Sequence, residues 1–372
     1  MRIPPARVTI PEEDLDEMTT CLRRVLKSGR LTLGPFTEEF ESAFRSVAGT
    51  EYTIAVNSGT SALEIILRCL GVNGKTVIVP TNTFFATPAA VLHAGGRVKL
   101  LDVAPHLMIN SADLEEAIDS NVAAVVVVHI GGYVHPEIKA ITEICEAGHV
   151  PLIEDAAHAH GSTFDGYPAG NFGTAGAFSF YPTKVITAAE GGMITTDDPA
   201  VYKKARTLRD QGKAEFGANF HTELGYNWRM SELSAVVGLA QLRRLHEFIA
   251  TRTMVASKYA EGLATIPKIE RLAFPENSKP NFYKYLAILA DTNQKRELKR
   301  RLKDEFDISL SGEVYETPCH SQPVFQTEQI ERFGSLDRSE DLCGRHVCLP
   351  IFSDMTAEEV EYVLASTRTA LE

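Results

Sequence analysis

The sequence predicts an α/β fold, with a large domain around a mostly parallel sheet and a smaller C-terminal α+β domain. From about residue 50 to 200, short continuous apolar runs alternate with segments of helical periodicity, as is typical of βα units. Beyond residue 263 a proline-bounded turn is followed by one strand and two helix candidates. We therefore expect a large domain over residues 1–250 and a small domain over residues 251–372.

The elements of the large domain begin with a helix over residues 58–70, whose leucine and isoleucine side chains share one face and which Gly71 can end. Further helices are expected from Ser111 and over residues 136–147. The strand candidates are short runs rich in apolar residues at residues 76–79, 98–102, 122–128, 150–154, 177–181 and 192–196.

The segment from residue 231 to 263 predicts one long helix or two joined helices, which carry the chain from one domain to the next. The small domain then contains a strand over residues 283–289 and a charged helix over residues 294–305. The last helix is predicted over residues 356–371.

Composition and charge exclude several classes of function. The formal net charge of −12 disfavours binding to nucleic acid. No apolar run approaches the roughly 18 residues that span a bilayer, so we expect no membrane segment and a cytoplasmic protein. The six cysteines form no C-x-x-C pair, which favours reduced, buried thiols over disulfides or a zinc site.

Two segments that follow predicted strands carry candidate ligand-binding groups. The segment 57–62 opens a helix with Ser, Gly and Thr, and the free backbone N–H groups of a helix N-terminus can hold a phosphate. Glu154 and Asp155 end a central strand, where neighbouring side chains point to opposite faces, so one of the two can face the ligand crevice.

The residues after this strand leave a metal site open as an alternative. Asp155, His158 and His160 form a D-x-x-H-x-H cluster that could bind a divalent cation, with His129 or His135 as the nearest additional ligands. We expect no metal, because the sequence contains no matching second cluster. A lysine, Lys184, also follows a strand in a turn rich in hydroxyl groups, where it could act as a nucleophile.

Seven segments in sequence resemble the DegT/DnrJ/EryC1/StrS family of sugar aminotransferases, which have the aspartate-aminotransferase type of fold and use pyridoxal phosphate. Together they extend over nearly 200 residues in the order and spacing of the family. They are Gly34-Pro-Phe-Thr with Phe40-Glu41, Asn57-Ser-Gly-Thr-Ser-Ala-Leu63, Pro80-Thr-Asn-Thr-Phe-Phe-Ala-Thr87, Glu154-Asp-Ala-Ala-His-Ala-His-Gly161, Phe178-Ser-Phe-Tyr-Pro-Thr-Lys184, Glu190-Gly-Gly192 and Gly225-Tyr-Asn-Trp-Arg-Met230.

The resemblance implies a role for each matching residue. Lys184 would hold the cofactor as a Schiff base and act as the catalytic base, and Asp155 would pair with the protonated pyridine nitrogen. His158 would form a hydrogen bond near the ring hydroxyl.

The remaining cofactor contacts follow in the same way. Gly59 and Thr60, together with Ser179, would hold the phosphate, and Phe84 would stack on the ring. Asn227 would reach the phosphate from the neighbouring subunit, so the resemblance implies a homodimer with a shared active site.

Departures from the family pattern are few. Val185 stands where many members have Asn, and Trp228 where Tyr is frequent. Pro318-Cys-His320 resembles a segment with an aliphatic residue before the histidine, which gives His320 as a candidate substrate contact.

The implied reaction transfers an amino group from L-glutamate to a nucleoside-diphosphate-linked keto-deoxyhexose. A dTDP-4-keto-6-deoxyhexose is favoured, and a C3-keto sugar stays open. A sugar dehydratase and a cyclitol aminotransferase of the same fold are alternatives, although the retained Lys184 favours transamination. More distant alternatives are the metal hydrolase on Asp155, His158 and His160, and a non-enzymatic ligand-binding regulator.

Overall fold

A computed structural model describes residues 1–215, 217 and 219–372 of the chain. The helices are α1 (Glu12–Ser28), α2 (Pro35–Ala48), α3 (Gly59–Cys69), α4 (Ala86–His93), α5 (Ser111–Ala117), α6 (Ile138–Ala147), α7 (Pro199–Arg209), α8 (Glu232–Arg243), α9 (Leu245–Leu263), α10 (Thr292–Phe306), α11 (Asp337–Arg345) and α12 (Ala357–Leu371). The strands are β1 (Tyr52–Val56), β2 (Thr76–Pro80), β3 (Arg97–Leu101), β4 (Val122–Val128), β5 (Leu152–Asp155), β6 (Thr163–Phe164), β7 (Tyr167–Pro168), β8 (Ala175–Ser179), β9 (Gly192–Thr196), β10 (Ile269–Arg271), β11 (Ser278–Lys279), β12 (Tyr285–Leu289), β13 (Ile330–Arg332) and β14 (His346–Leu349).

The large domain is built on a sheet in which eight strands of the described chain follow the order β1-β9-β8-β5-β4-β2-β3-β13. Strand β9 runs antiparallel to both of its neighbours, and the other neighbouring pairs are parallel. The predicted α/β fold with a large, mostly parallel sheet is therefore confirmed.

Both faces of this sheet are buried, as the apolar run in β4 shows. Val125 and Val127 pack into one hydrophobic core, whereas Ala124 and Val126 pack into the core on the opposite face. Because side chains alternate across a strand, a strand covered on both faces needs apolar residues at every position.

Two helix starts at the sheet have clear local causes. Ser58 precedes α3, and its hydroxyl accepts a hydrogen bond of 3.1 Å from the backbone N–H of Ser61. At the start of α2, the carboxylate of Glu232 accepts hydrogen bonds from the backbone N–H groups of Gly34, Phe36 and Thr37. A carboxylate at a helix N-terminus also stabilises the helix dipole.

The small domain contains an antiparallel sheet in the order β10-β12-β14, against which helices α9, α10 and α12 pack. A capping box begins α12, since Thr356 and Glu359 each bond to the backbone N–H of the other. The stretch predicted over residues 231–263 is two helices, α8 and α9, which meet at Arg244.

The division at residue 250 stays a prediction, and two segments cross it. Strand β13 pairs in parallel with β3 and so extends the large sheet with residues from the C-terminal part of the chain. At the other end, Ile3 forms a bridge with Ile308 and is buried in the core of the small domain.

Helices α1, α2, α4, α7 and α11 were not among the elements predicted from periodicity. The predicted strand over residues 177–181 lies two residues earlier, at Ala175–Ser179, and the strand predicted over residues 122–128 has those bounds. Within the described residues, no helix combines the length and the apolar character that crossing a membrane requires.

Candidate active site

A cleft of about 430 Å³ lies at the carboxyl ends of the parallel strands, where the small domain faces the large one. Such an edge is where open α/β sheets bind their ligands. The cleft is lined by Ser58, Gly59, Thr60, Leu63, Thr83, Phe84, Ala86, Val128, Asp155, Ala157, His158, Ser179, Tyr181, Thr183, Lys184, Glu190, Tyr283 and Tyr315.

The two carboxylates at the end of β5 have different roles. Asp155 faces the cleft. Glu154 points to the opposite side and is fully buried, where it accepts hydrogen bonds from the backbone N–H groups of Gly170, Phe172 and Gly173 and pairs with His129 at 2.8 Å. Of the two acids that the sequence leaves open, Asp155 therefore faces the cleft, and Glu154 holds the loop before β8.

Asp155 is held by two donors. Thr87 donates a hydrogen bond of 2.8 Å to Oδ2, and the backbone N–H of Ala157 donates one of 3.2 Å to Oδ1. Burial raises the pKa of Asp155, while these hydrogen bonds and the charge of Lys184 act in the opposite direction. A positive group bound beside this carboxylate would favour its charged form.

Lys184 lies in the turn after β8, and its amine is 4.9 Å from the centre of the Tyr283 ring. Part of the side chain is accessible from the cleft, but protein atoms surround the amine. Burial therefore lowers the pKa of Lys184 from 10.5 to about 8, against the opposing effect of the Asp155 carboxylate. A useful fraction of the amine is neutral near neutral pH, as a nucleophile or base requires.

His158 is buried with both ring nitrogens in contact with protein groups. The backbone N–H of Gly131 donates to Nδ1 at 3.3 Å, and Nε2 lies 3.3 Å from the hydroxyl of Tyr315. The imidazole packs on the Tyr283 ring with a centroid distance of 4.4 Å. Burial, with the nearby charges of Lys184 and Lys284, lowers the pKa of His158 well below its ordinary value.

The start of α3 lies directly against the end of β8. A Cβ atom on Gly59 would lie 2.8 Å from Cβ of Ser179, so a larger residue cannot take this place without a shift. The first N–H groups of a helix have no intrahelical partner. Here the N–H of Ser61 is capped by Ser58, and the first two residues of the helix, Gly59 and Thr60, line the cleft beside Ser179. Phe84 stays 55% exposed and lines the same cleft, where a flat ligand can stack on it.

Two predicted site residues lie outside the cleft of their own chain. Asn227 is exposed in a segment whose backbone pairs with Asp210. His320 is buried, and its ring nitrogens contact Thr81 at 2.7 Å and Glu340 at 3.0 Å. His320 thus links these segments of the chain and does not line the cleft.

The metal alternative finds no geometric support. Among residues 1–215, 217 and 219–372, no group of three His, Cys, Asp or Glu side chains is arranged to hold a metal ion. The His160 ring is surrounded by Phe44, Phe178 and Phe180, and its pKa falls to about 3 because of burial. His160 thus belongs to an apolar cluster and does not join Asp155 and His158.

Several residues of this site have no role that the sequence predicts. Tyr283 and Tyr315 come from the C-terminal part of the chain, and nothing in their local sequence links them to a motif 100 residues earlier. Thr87 lies in the segment 80–87 and has no predicted role of its own. Its position four residues after Thr83, near the start of a helix, could have indicated a pair of hydroxyl groups.

The fold and the site together define an α/β enzyme in which a lysine amine, a buried carboxylate and the N-terminus of a helix face one cleft. Residues 12–368 match the sequence model of the DegT/DnrJ/EryC1/StrS aminotransferase family. The chain belongs to this family.

Several relatives and solved structures are similar over nearly the whole chain. GDP-perosamine synthase of Caulobacter vibrioides is 35% identical over 98% of both chains. The dTDP-3-amino-3,4,6-trideoxy-alpha-D-glucose transaminase of Micromonospora megalomicea is 31% identical over 97% of this chain and 96% of its own.

The solved structures agree. DesV of S. venezuelae, in complex with a ketimine intermediate, is 30% identical with a TM-score of 0.93 over 100% of this chain and 99% of its own. NtdA of Bacillus subtilis, with bound cofactor PMP, is 27% identical with a TM-score of 0.91 over 100% of this chain and 85% of its own.

These findings confirm the predicted family, the fold type and the class of enzyme, an aminotransferase whose named relatives act in amino-sugar synthesis. The predicted cofactor agrees with these structures, since NtdA was solved with bound PMP, the aminated form of pyridoxal phosphate.

Proposed function

We propose that this protein is a pyridoxal-phosphate-dependent aminotransferase that transfers the amino group of L-glutamate to a nucleoside-diphosphate-linked keto-deoxyhexose. The observation that carries this proposal is the shared cleft of Lys184 and Asp155. Burial lowers the pKa of the lysine to about 8 while the carboxylate faces the same space. Such a pair combines a reactive amine with an acceptor for a cationic ring.

The residues of the cleft fit pyridoxal phosphate. The cradle between Gly59 and Ser179, which a Cβ atom would fill, suits a phosphate at a helix N-terminus, and Thr60 adds a hydroxyl. Asp155 suits the protonated ring nitrogen, and Phe84 offers an aromatic face. When bound, the cofactor withdraws electrons from the carbon that carries the amino group.

Lys184 is the group that moves protons. Its neutral amine can remove the proton from Cα of the amino-acid donor. In the second half of the reaction, the same group can deliver a proton to the sugar carbon that receives the amino group. The hydrogen bonds from Thr87 and the backbone N–H of Ala157 favour the charged form of Asp155, which would pair with the protonated ring nitrogen of the bound cofactor.

A dTDP-4-keto-6-deoxyhexose is our proposed acceptor. One relative is named for a dTDP sugar and another for GDP-perosamine. The identity of the nucleotide, and the sugar carbon that is aminated, C4 or C3, therefore belong to the proposal. Retention of Lys184 favours transamination over dehydration. We further propose a cytoplasmic homodimer in which Asn227 completes the phosphate site of the neighbouring subunit, which agrees with its exposed position outside its own cleft.

The visible absorbance spectrum of the purified protein with pyridoxal phosphate, before and after L-glutamate, tests this proposal. We expect a yellow band from cofactor bound to Lys184, and we expect glutamate to bleach it. Lys184→Ala, the matched control, should lack the band. Absence of a band in the unaltered protein would refute the proposal, and a band that ignores glutamate would refute the donor. Analysis of the products formed from dTDP-, GDP- and UDP-linked keto sugars then identifies the acceptor and separates transamination from dehydration.

A further inference from the structure

The direction of one hydrogen bond at His158 follows from its partners. A backbone N–H can only donate, so Nδ1 of His158, which faces the N–H of Gly131 at 3.3 Å, carries no proton. Burial lowers the pKa of His158 well below its ordinary value, which keeps the imidazole neutral. The single ring proton is therefore on Nε2.

The hydroxyl oxygen of Tyr315 accepts a hydrogen bond from this N–H group. Nε2 of His158 lies 3.3 Å from the hydroxyl oxygen, and because Nε2 donates, the hydroxyl proton of Tyr315 must point elsewhere. Burial raises the pKa of Tyr315 well above its ordinary value, so the hydroxyl keeps its proton. Tyr315 lines the cleft, which is the space open to that proton.

The backbone around Tyr315 is held firmly. Its N–H donates a hydrogen bond of 2.8 Å to Oδ1 of Asn82 in the large domain. On either side, the carboxylates of Glu313 and Glu316 both lie 3.5 Å from the amine of Lys295. A loop fixed from both domains places a side chain with the accuracy that a binding site needs.

We infer that Tyr315 is a further cofactor-binding residue, whose hydroxyl donates a hydrogen bond to the ring oxygen of pyridoxal phosphate. His158 is then a positioning residue that turns this hydroxyl into the cleft. The inference rests on the proposed function. It transfers to Tyr315 the ring-oxygen contact that family resemblance assigns to His158, since both nitrogens of His158 already have protein partners.

Binding of pyridoxamine 5′-phosphate tests the inference without turnover, because this probe lacks the aldehyde that reacts with Lys184. We expect Tyr315→Phe to raise the dissociation constant about tenfold, as for loss of a hydrogen bond to a charged acceptor. The pH at which the ring oxygen of the bound probe ionises, read from its absorbance, should rise as well. Tyr285→Phe is the matched control, because Tyr285 is buried in the small-domain core. Both values should stay unchanged in that variant.

The outcomes separate the two proposals. If the unaltered protein binds the probe and Tyr315→Phe binds it equally, with the same ionisation midpoint, the inference is overturned and the proposed function stands. If the unaltered protein does not bind the probe, both are overturned. Nitrogen-15 spectra of histidine-labelled protein without cofactor give an independent measurement, with the His158 signal assigned from its loss in His158→Gln. A proton on Nδ1 of His158 would overturn the inference even if every variant failed to bind.

Discussion

Thr87 donates a hydrogen bond of 2.8 Å to the carboxylate of Asp155, and both side chains are buried. The single proton of the Thr87 hydroxyl is used in this bond. Thr83, whose hydroxyl lies 2.7 Å from that of Thr87, must therefore donate to Thr87. The two hydroxyls form a relay that stabilises the charged form of Asp155.

Thr87→Val should lower kcat/KM roughly 10- to 100-fold, because a hydrogen bond to a charged group contributes about 1.5 to 3 kcal/mol. Valine has nearly the shape of threonine, so the packing is maintained. Steady-state kinetics measure the effect, and Thr83→Val, one step further from the carboxylate, is the control and should cost less. An equal or larger loss in Thr83→Val would contradict the relay.

Asp155→Asn should lower kcat by about 100-fold or more, since breaking a buried charged pair typically costs 3 to 5 kcal/mol. A neutral amide no longer favours a protonated ring nitrogen. Single-turnover measurements with L-glutamate isolate this step from product release. A rate equal to that of the unaltered protein would remove Asp155 from the mechanism.

Lys184→Ala should abolish turnover and leave the protein folded, because the side chain reaches into the cleft and forms no part of the core. We expect the variant to retain cofactor without a covalent link. Circular dichroism and the cofactor content after gel filtration check folding and binding, and a coupled assay for 2-oxoglutarate checks turnover. Turnover near the unaltered rate would contradict the role of Lys184.

The lowered pKa of Lys184 predicts a pH dependence. In the folded protein the amine is mostly protonated below about pH 8 and mostly neutral above it. The rate at which cofactor-free protein gains the visible band with pyridoxal phosphate should therefore rise with pH and level off above about 8. Stopped-flow absorbance over a pH series measures this midpoint, with free Nα-acetyl-lysine as the reference. A midpoint near the ordinary 10.5 would show that burial does not control this amine.

Glu154→Ala should destabilise the fold by about 3 to 5 kcal/mol, since it leaves the buried His129 and three buried or partly buried backbone N–H groups without their acceptor. Urea unfolding followed by fluorescence measures the change in unfolding free energy. Glu190→Ala, in which the altered side chain is exposed, is the control and should change it by less than about 0.5 kcal/mol. Equal stability of the two variants would contradict a structural role for Glu154.

Local sequence patterns predict the buried strands well, because a strand that is covered on both faces forms a continuous apolar run in the sequence. The run at Val122–Val128 is apolar throughout since β4 is covered on both faces, and the strand bounds agree with that prediction. The strand-end position makes Asp155 one of two candidate acids, with Glu154 as the other, and only the family resemblance selects Asp155 and Lys184. The structure places both of them in one cleft.

The features that the sequence did not predict depend on distant contacts. Strand β13 has three residues and an exposed pattern, so only its pairing with β3 defines it. Tyr283 and Tyr315 reach the cleft through the arrangement of the two domains. His320 is the last residue of the segment Pro318-Cys-His320, which resembles a family motif, yet its ring contacts Thr81 and Glu340 and does not line the cleft.

Strand β13 and the segment at Ile3 each pack on the other side of the predicted division at residue 250, which has a consequence for the construction of hybrid enzymes. A fragment cut after residue 250 would lack the edge strand Ile330–Arg332, and the remaining C-terminal fragment would lose Ile3 from its core. Domain exchange between relatives should therefore leave β13 with the large sheet and transfer the first residues of the chain together with the small domain. A functional chimera therefore needs four junctions and not one.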